Sequence, residues 1–404
     1  MKNLWNNIGP GTLVAAAFIG PGTVTVCTLA GVRFGFTLLW AMVLSIVATL
    51  ILQEMAARLG LVTGKGLSKI VSQEMKQPFG RMMALGLIVA AILIGNAAYE
   101  AGNISGAALG LEVLWSYFNL DAQLQLSLGS LLVGAIAFSL LFIGNYKFLE
   151  RALVTLVIIM SSAFLITAGL TGPDWAEVFY SLAVPRVPEE GWLSVIALVG
   201  TTVVPYNLFL HASLVKEKWN GVNDLKSARI DLYVSVILGG LVSVAIIICG
   251  AAIQSVDITS AADMAAGLAP LFGSYATYFL SVGLFAAGIT SAVTAPLAAA
   301  YVAQGCFGWD SSLKSVKFRS VWMGVLLLGT VFSSVGFRPI DIIHFAQVAN
   351  GLLLPIIAIF LLWAVNRTHL LGSHRNSLSQ NIAGGAIVFI AFVLGMKSLW
   401  NVFS

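Results

Sequence analysis

Charged residues are scarce in this sequence. Of 404 residues, only 9% are Asp, Glu, Lys or Arg, whereas 59% are hydrophobic. Soluble domains carry about 25% charged residues, so the composition excludes a soluble globular protein and predicts a chain that lies mostly in lipid. Eleven apolar runs are long enough to cross a hydrocarbon core of about 30 Å, and their continuous pattern favours helices over barrel strands. The predicted spans are 8–32, 36–59, 82–111, 124–143, 148–171, 191–215, 232–253, 277–301, 319–336, 339–365 and 381–400.

Cysteine is also scarce, and catalytic motifs are lacking. The cysteines Cys27, Cys249 and Cys306 lie in or near apolar runs and follow neither a metal-binding nor a disulfide pattern. The sequence has no nucleophile–base–acid arrangement and no phosphate-binding loop. We therefore expect that the protein is not an enzyme and uses no cofactor.

Lysine and arginine are unevenly distributed between the predicted loops. They are concentrated near 60–81 and 216–231. The positive-inside rule then places the N-terminus in the cytoplasm and the C-terminus outside. Because topology explains the basic clusters, no nucleic-acid partner is expected. We expect a monomeric multi-pass protein of the cell membrane, whose partners are the lipid bilayer, a small inorganic ion as substrate and a coupling ion. Only Arg33, Arg186, Arg338 and Lys397 lie on the side predicted to be outside.

Two predicted spans are interrupted by proline. The first contains Gly20-Pro21-Gly22-Thr23 and the sixth contains Val204-Pro205-Tyr206-Asn207. Proline removes an amide donor and clashes with the preceding turn, and glycine makes unwinding easy, so both helices are expected to break. Each break lies in the first helix of a five-helix half, which predicts an inverted-repeat transporter with its binding site at the breaks. The chain is then one domain, 1–404, with repeats at about 8–171 and 191–365 and a trailing helix at about 381–400.

Several motifs in these spans resemble one known family. Phe34-Gly35-Phe36-Thr37-Leu38-Leu39-Trp40 opens the second span, Pro205-Tyr206-Asn207-Leu208-Phe209-Leu210-His211 lies in the sixth, and Ala286-Ala287-Gly288-Ile289-Thr290-Ser291-Ala292-Val293-Thr294 lies in the eighth. With Gly9-Pro10-Gly11 and Ala56-Ala57-Arg58-Leu59-Gly60, they resemble the Nramp family, proton-coupled importers of divalent transition metals. The resemblance implies an all-α integral membrane protein of the LeuT-type fold. That fold has five plus five helices in inverted repeats, the first and sixth broken, and here an eleventh helix follows.

The sequence departs from this family at the residues that the resemblance assigns to the metal. The family signature Asp-Pro-Gly-Asn is replaced by Gly20-Pro21-Gly22-Thr23, so the carboxylate is lost and the amide becomes a hydroxyl. The signature Met-Pro-His-Asn is replaced by Val204-Pro205-Tyr206-Asn207, so the thioether and one imidazole are lost. The tenth-helix glutamine that can approach the ion corresponds to Gln347, with Asn350 nearby. The expected substrate-binding residues are Gly20, Pro21, Gly22, Thr23, Thr201, Val204, Pro205, Tyr206, Asn207, Gln347 and Asn350.

The missing carboxylate determines the substrate that we expect. A bare transition-metal ion needs anionic or soft ligands, and losing a close charge pair costs several kcal/mol. The half-helix after each break begins with about half a positive charge, and Thr23 and Asn207 lie where they could cap these ends. No Lys or Arg is predicted at the midplane, which argues against doubly charged anions. We therefore expect a small monovalent anion such as bicarbonate, although formate, nitrite or chloride would satisfy the same physics.

Two alternatives remain open. Backbone carbonyls, Gln347 and Glu100 could hold a divalent cation of the Mg²⁺ or Mn²⁺ type that keeps part of its water shell. A membrane sensor that binds a ligand without moving it is the second alternative, and flux across liposomes distinguishes it from a transporter.

Three residues are expected to serve the coupling ion, H⁺ or Na⁺. Glu100 is an acid inside the third span, where ionisable residues are functional by default. The resemblance aligns Glu100 and Asn103 with an acidic pair of the family. His211 follows Asn207 by four residues on the same helix face and could exchange a proton near neutral pH. The implied mechanism is alternating access by rocking of one helix bundle against the rest.

Overall fold

The protein is a bundle of long helices. A computed structural model describes residues 19–115, 122–144, 147–219, 221–254, 257–309 and 314–403. In these ranges, nine helices are long and apolar enough to cross a membrane. The helices that form the bundle are α1 (Pro21–Phe34), α2 (Leu39–Thr63), α3 (Pro78–Trp115), α4 (Ala122–Ile143), α5 (Lys147–Leu170), α6 (Trp192–Thr202), α7 (Pro205–Lys218), α8 (Leu225–Ala251), α9 (Ala276–Phe307), α10 (Val316–Ser334), α11 (Pro339–Val365) and α12 (Leu378–Phe403).

These helices match the predicted spans, with differences at their ends. The beginning of the first span, with Gly9-Pro10-Gly11, lies outside the described residues, and the sixth span is divided into α6 and α7. The segments near 60–81 and 172–190, which lie between predicted spans, contain short helices. Asp174 caps one of them by accepting a hydrogen bond from the amide of Ala176 at 2.9 Å. The short helices are Leu67–Glu74, Trp175–Ala183, Ala261–Ala265, Ala269–Phe272 and Thr368–Leu371.

Glycines bring the helices close together. A Cβ atom on Gly31 of α1 would lie 2.2 Å from the carbonyl oxygen of Ile247 in α8, so the two backbones touch. In the same way, a Cβ on Gly288 of α9 would lie 2.5 Å from the Cβ of Ala107 in α3. Lipid tails are as apolar as leucine, so close packing of small residues stabilises such contacts within a membrane. The long α3 packs along α9, α10 and α11.

A partly buried ion network joins α2 to the start of α8. Glu54 accepts hydrogen bonds from Arg58 at 3.1 Å and from Arg229 of α8 at 2.6 Å. Arg58, which is 2% exposed, also donates to the Asn376 side chain at 2.6 Å and to the carbonyl of His374. Arg229 is therefore held by Glu54 within the bundle, which explains why α8 begins at Leu225 and not at the predicted residue 232.

Candidate functional site

The described part of the first span begins at its break. Gly20 is the N-cap residue of α1, with φ −91° and ψ 178°, and Pro21 occupies the first turn. Proline has no amide hydrogen, and Gly20 has no side chain that could accept from the following amides. The positive end of the α1 dipole therefore has no side-chain cap from its N-cap residue.

The break in the sixth span repeats this construction. α6 ends at Thr202, and the chain then passes through Val203 and Val204 to Pro205, the first residue of α7. Val204 is extended, with φ −73° and ψ 121°, and provides no side-chain cap. Both half-helices thus start with an extended residue followed by proline. The structure therefore has the sixth-span break where the sequence predicts it.

One hydrogen bond joins the residues at the two breaks. The hydroxyl oxygens of Thr23 and Thr201 lie 2.9 Å apart, and either can donate. Both side chains are buried. Thr202, the next residue, donates its hydroxyl to the Leu198 carbonyl of its own helix at 3.0 Å and so faces its own backbone. Thr23 and Thr201 are therefore the hydroxyls that bring the two breaks together.

Helix α11 lies against both breaks through two glycines. A Cβ atom on Gly22 would lie 2.2 Å from Nε2 of Gln347, so the amide of Gln347 occupies the space beside this glycine. A Cβ on Gly200 of α6 would lie 1.9 Å from the Gln347 carbonyl oxygen. Asn350 follows on α11, where a Cβ on neighbouring Gly351 would lie 2.5 Å from Ile196 of α6. The structure therefore places Gln347 at the breaks and Asn350 beside α6.

Several buried polar side-chain atoms on α7 and α11 have no hydrogen-bond partner among the described residues. They include both polar atoms of the Asn207 side chain, Oε1 of Gln347 and Nδ2 of Asn350. The expectation that Asn207 caps α7 is therefore wrong, and the three side chains are at most 2% exposed. Most buried polar groups in native proteins are paired, so each exception needs an explanation such as a bound ion or water. The unpaired polar atoms of these three side chains define the candidate site.

Glu100 lies on α3 and contacts Asn103, as their spacing on one helix allows. Its Oε2 accepts from Nδ2 of Asn103 at 3.3 Å, and its Oε1 has no partner in the described part of the chain. Gly329 of α10 makes room for it, because a Cβ there would lie 2.5 Å from Cγ of Glu100. Neighbouring Tyr99 meets Tyr206 of α7 edge to face, with ring centroids 5.4 Å apart. Glu100 is therefore fully buried, and the residue before it, Tyr99, contacts the sixth-span break through Tyr206.

His211 has a protein partner that sequence reasoning missed. Its Nδ1 lies 2.8 Å from Oε1 of Gln53 on α2, and both side chains are buried. Gln53 could have been found from the sequence, because it is an uncharged polar residue next to Glu54 within an apolar run. His211 therefore joins α7 to α2, one turn beyond Asn207.

The donor set of the site is neutral. In the described ranges, no three or more His, Cys, Asp or Glu side chains cluster in a way that could hold a metal ion. Thr23, Thr201, Asn207 and Gln347 offer hydroxyl and amide groups, and the end of α6 adds backbone carbonyls. Such a set suits a ligand that needs hard, uncharged oxygen atoms or hydrogen-bond donors, and it does not suit a bare soft metal ion.

Half-helices that meet at a buried polar cluster inside a bundle of membrane-spanning helices define a membrane transporter. A sequence profile described as Natural resistance-associated macrophage protein-like matches residues 11–401. The chain therefore belongs to the Nramp family, which consists of secondary transporters and not of enzymes.

Similar proteins fit this assignment. The divalent metal cation transporter MntH of Verminephrobacter eiseniae (strain EF01-2) is 27% identical over 384 residues, which cover 91% of this chain and 83% of the relative. The Eremococcus coleocola manganese transporter, solved in complex with an aromatic bis-isothiourea substituted compound, has a TM-score of 0.78 at 20% identity, covering 98% of this chain and 86% of that one.

A transporter of another family shares the fold. Mhp1, a nucleobase-cation-symport-1 family transporter solved in a closed conformation with bromovinylhydantoin bound, has a TM-score of 0.60 at 13% identity. The match covers 98% of this chain and 92% of Mhp1. At these identities the structural likenesses show the fold alone, and they confirm the predicted LeuT-type architecture.

Proposed function

We propose that this protein is a secondary-active transporter of a hard divalent cation of the Mg²⁺ or Mn²⁺ type. The ion would bind between the two breaks with part of its water shell. The observation that carries the proposal is the buried amide of Asn207, whose two polar atoms have no partner among the described residues, in a site where Gln347 also has a free amide oxygen. The names of the relatives support a divalent cation, at 27% identity for the MntH relative.

The neutral donor set explains why the ion would remain partly hydrated. Mg²⁺ dehydrates reluctantly and is usually bound through one or two direct ligands while it keeps several waters. The side-chain oxygens of Asn207 and Gln347 and the carbonyls at the end of α6 could bind such an ion directly or through its waters. Val204 stands where the family signature has methionine, so the site lacks the soft sulfur ligand that would favour transition metals.

Glu100 is the proposed carrier of the coupling proton. It is fully buried, and one of its carboxylate oxygens has no partner in the described part of the chain. A buried acid must exchange its proton or find a cation, because an isolated charge in a low-dielectric interior is costly. We expect that Glu100→Gln abolishes the stimulation of uptake by an inward proton gradient in liposomes. Gly86→Ala on the same helix, where nothing lies within 4 Å of the added Cβ, should retain it. Undiminished stimulation in Glu100→Gln would remove this role.

A small monovalent anion such as bicarbonate is the second candidate. It is favoured by the N-termini of α1 and α7, neither of which is capped by the side chain of its N-cap residue. Helix N-termini bind anions through free amides and the helix dipole. We rank the anion second because the names of the MntH relative and the Eremococcus coleocola transporter specify metal cations.

Equilibrium binding to the purified protein tests the proposal. Calorimetric titration with Mg²⁺, Mn²⁺ and bicarbonate at constant pH should show binding of the cations. Asn207→Ala should weaken this binding about tenfold or more, because hydrogen bonds and contacts to charged ligands contribute about 1.5–3 kcal/mol. Binding of bicarbonate alone, equally lost in Asn207→Ala, would replace the first candidate with the second.

A further inference from the structure

A cationic cavity lies at one end of the bundle, away from the breaks. It has a volume of about 580 Å³ and lies between the helix Leu67–Glu74, the first turn of α3 and the end of α11. Trp363, which lines it, follows Gln347 by sixteen residues of α11, or about 24 Å of helical rise. We call it the basal cavity, and it is separate from the proposed ion site.

Positive charge dominates this cavity. Lys76, Arg81 and Arg367 line it together with one carboxylate, Glu74. That carboxylate is engaged by His369, whose Nε2 lies 2.5 Å from Oε2 of Glu74. Lys76, Arg81 and Arg367 form no ion pair with any carboxylate in the described part of the chain. A cavity with this charge selects an anion.

Two of these cations are held in place by neutral neighbours. The guanidinium of Arg367 lies 4.4 Å from the ring centroid of Trp363, and Arg81 donates one hydrogen bond to the Ser72 hydroxyl at 3.2 Å. A guanidinium has five N–H donors in a planar fork that matches phosphate oxygens, so both arginines retain donors for a ligand. Gln77 and Gly80 place the N-terminus of α3 beside them, and its dipole adds to the positive potential.

An exposed apolar strip continues from the cavity along α3. Phe79, Met82 and Met83 are 70%, 66% and 51% exposed and flank Arg81 in the sequence. A free phosphate ion would use the cations and leave this strip without a role. An anionic phospholipid would use both, with its phosphate among the cations and its acyl chains on the strip. Basic pockets between membrane helices on the cytoplasmic side bind such headgroups.

From this combination we infer that the basal cavity binds the headgroup of an anionic phospholipid. The bound phosphate bridges the start of α3 and the end of α11, two elements that pack against each other and carry Glu100 and Gln347. On the orientation predicted from the positive-inside rule, this end faces the cytoplasmic leaflet, whose surface is negative. The lipid therefore stabilises the end of the bundle where α3 begins and α11 ends.

Native mass spectrometry of the detergent-purified protein tests the inference. Added phosphatidylglycerol should bind in preference to phosphatidylcholine with the same acyl chains. Each cation near a membrane surface strengthens such binding about fivefold, so Arg81→Gln with Arg367→Gln should weaken phosphatidylglycerol binding by roughly 25-fold. Lys226→Gln with Arg151→Gln removes two exposed cations outside the cavity and should leave binding unchanged. Equal loss in both double variants, or equal binding of the two lipids, would overturn the proposal.

Two further measurements distinguish lipid binding from a folding defect and from binding of free phosphate. Because Arg81 also donates to Ser72, the single variant Lys76→Gln, at an exposed residue, is examined beside the double variant and should weaken binding about fivefold. Phosphatidylglycerol should raise the melting temperature of the wild type, and millimolar inorganic phosphate should not. Equal stabilisation by inorganic phosphate alone would contradict the lipid assignment.

Discussion

Asn207 differs from other buried amides of the protein in how its polar atoms are satisfied. Asn96 donates to the carbonyl of Ala295 at 2.9 Å, and Asn103 donates to Glu100. Asn207, which is fully buried, has no partner for either polar atom in the described part of the chain. A fold that leaves an amide unpaired in a membrane interior gains nothing from it, so the residue is better explained by a ligand than by packing.

This difference predicts that two matched substitutions change the free energy of unfolding by different amounts. Asn207→Ala should change the free energy of unfolding by less than about 1 kcal/mol, because no hydrogen bond to the described protein is lost. Asn96→Ala loses the hydrogen bond from the Asn96 amide to the Ala295 carbonyl and should cost about 0.5–1.5 kcal/mol. Thermal unfolding in detergent, monitored by tryptophan fluorescence, measures both. A larger loss for Asn207→Ala than for Asn96→Ala would show that Asn207 is a structural residue.

Gly20 offers a direct test of the missing carboxylate. Its backbone is extended, a conformation that aspartate adopts readily, and aspartate is a favoured N-cap residue. A carboxylate about 4 Å from a divalent cation attracts it by several kcal/mol even at an effective dielectric near 20. Gly20→Asp should therefore raise the Mn²⁺ affinity about tenfold or more, measured by calorimetry. Gly20→Asn has the same size without the charge and should not, and equal effects of both would contradict the electrostatic explanation.

At the scale of residues, the sequence indicates candidate residues for the site, which stay predictions, but it does not indicate how they pair. Thr23 and Thr201 stood out because they are polar residues in the broken apolar spans, and Gln347 stood out through the family resemblance. The bond from Thr23 to Thr201 and the contact of Gln347 with Gly22 join residues far apart in the chain. They depend on how helices pack, which local periodicity does not specify.

The helix breaks were predicted from sequence because their causes are local. Pro205 ends the helical path of α6 by steric clash and by the missing amide. Pro21 has the same chemistry in the first span, whose part before residue 19 lies outside the described residues. Each occupies the first turn of its half-helix in the structure. The start of α8 was predicted less well, because Arg229 and Asp231 lower the local hydropathy. The structure keeps this segment helical by pairing Arg229 with Glu54 of α2.

The contact of α6 with α11 predicts a strong effect at one glycine. A Cβ on Gly200 would meet the backbone of Gln347 and Gly351 at 1.9 and 2.7 Å, and these backbone atoms cannot move without separating the helices. Gly200→Ala should lower the free energy of unfolding by about 1–3 kcal/mol or more. The matched control is Gly86→Ala on α3, where nothing lies within 4 Å of the added Cβ. That variant should gain about 0.5–1 kcal/mol, since alanine is the better helix residue. Equal melting temperatures for the two variants would contradict the proposed close contact.

For the whole molecule, the order of the helices followed from hydropathy and the family from its motifs. The described helices and the likeness to Mhp1 confirm the LeuT-type fold. The predicted inverted repeats at about 8–171 and 191–365, and the predicted orientation of the termini, stay predictions. The substrate was the least accessible from sequence, because a neutral site can bind an anion through helix dipoles or a hydrated cation through oxygen atoms. The same neutral residues could bind either ligand, so the sequence does not determine the sign of the substrate's charge.

Flux through the reconstituted protein tests the proposed function most directly. Wild type and Asn207→Ala are placed in liposomes, and the influx of Mg²⁺ and Mn²⁺ is followed with entrapped dyes. Uptake of labelled bicarbonate is followed in the same batch, against empty liposomes at matched pH because CO₂ crosses lipid. We predict cation influx that depends on the protein, increases with an inward proton gradient and is lost in Asn207→Ala. Bicarbonate uptake without cation influx, or binding of Mg²⁺ without any flux, would contradict a divalent-cation transporter.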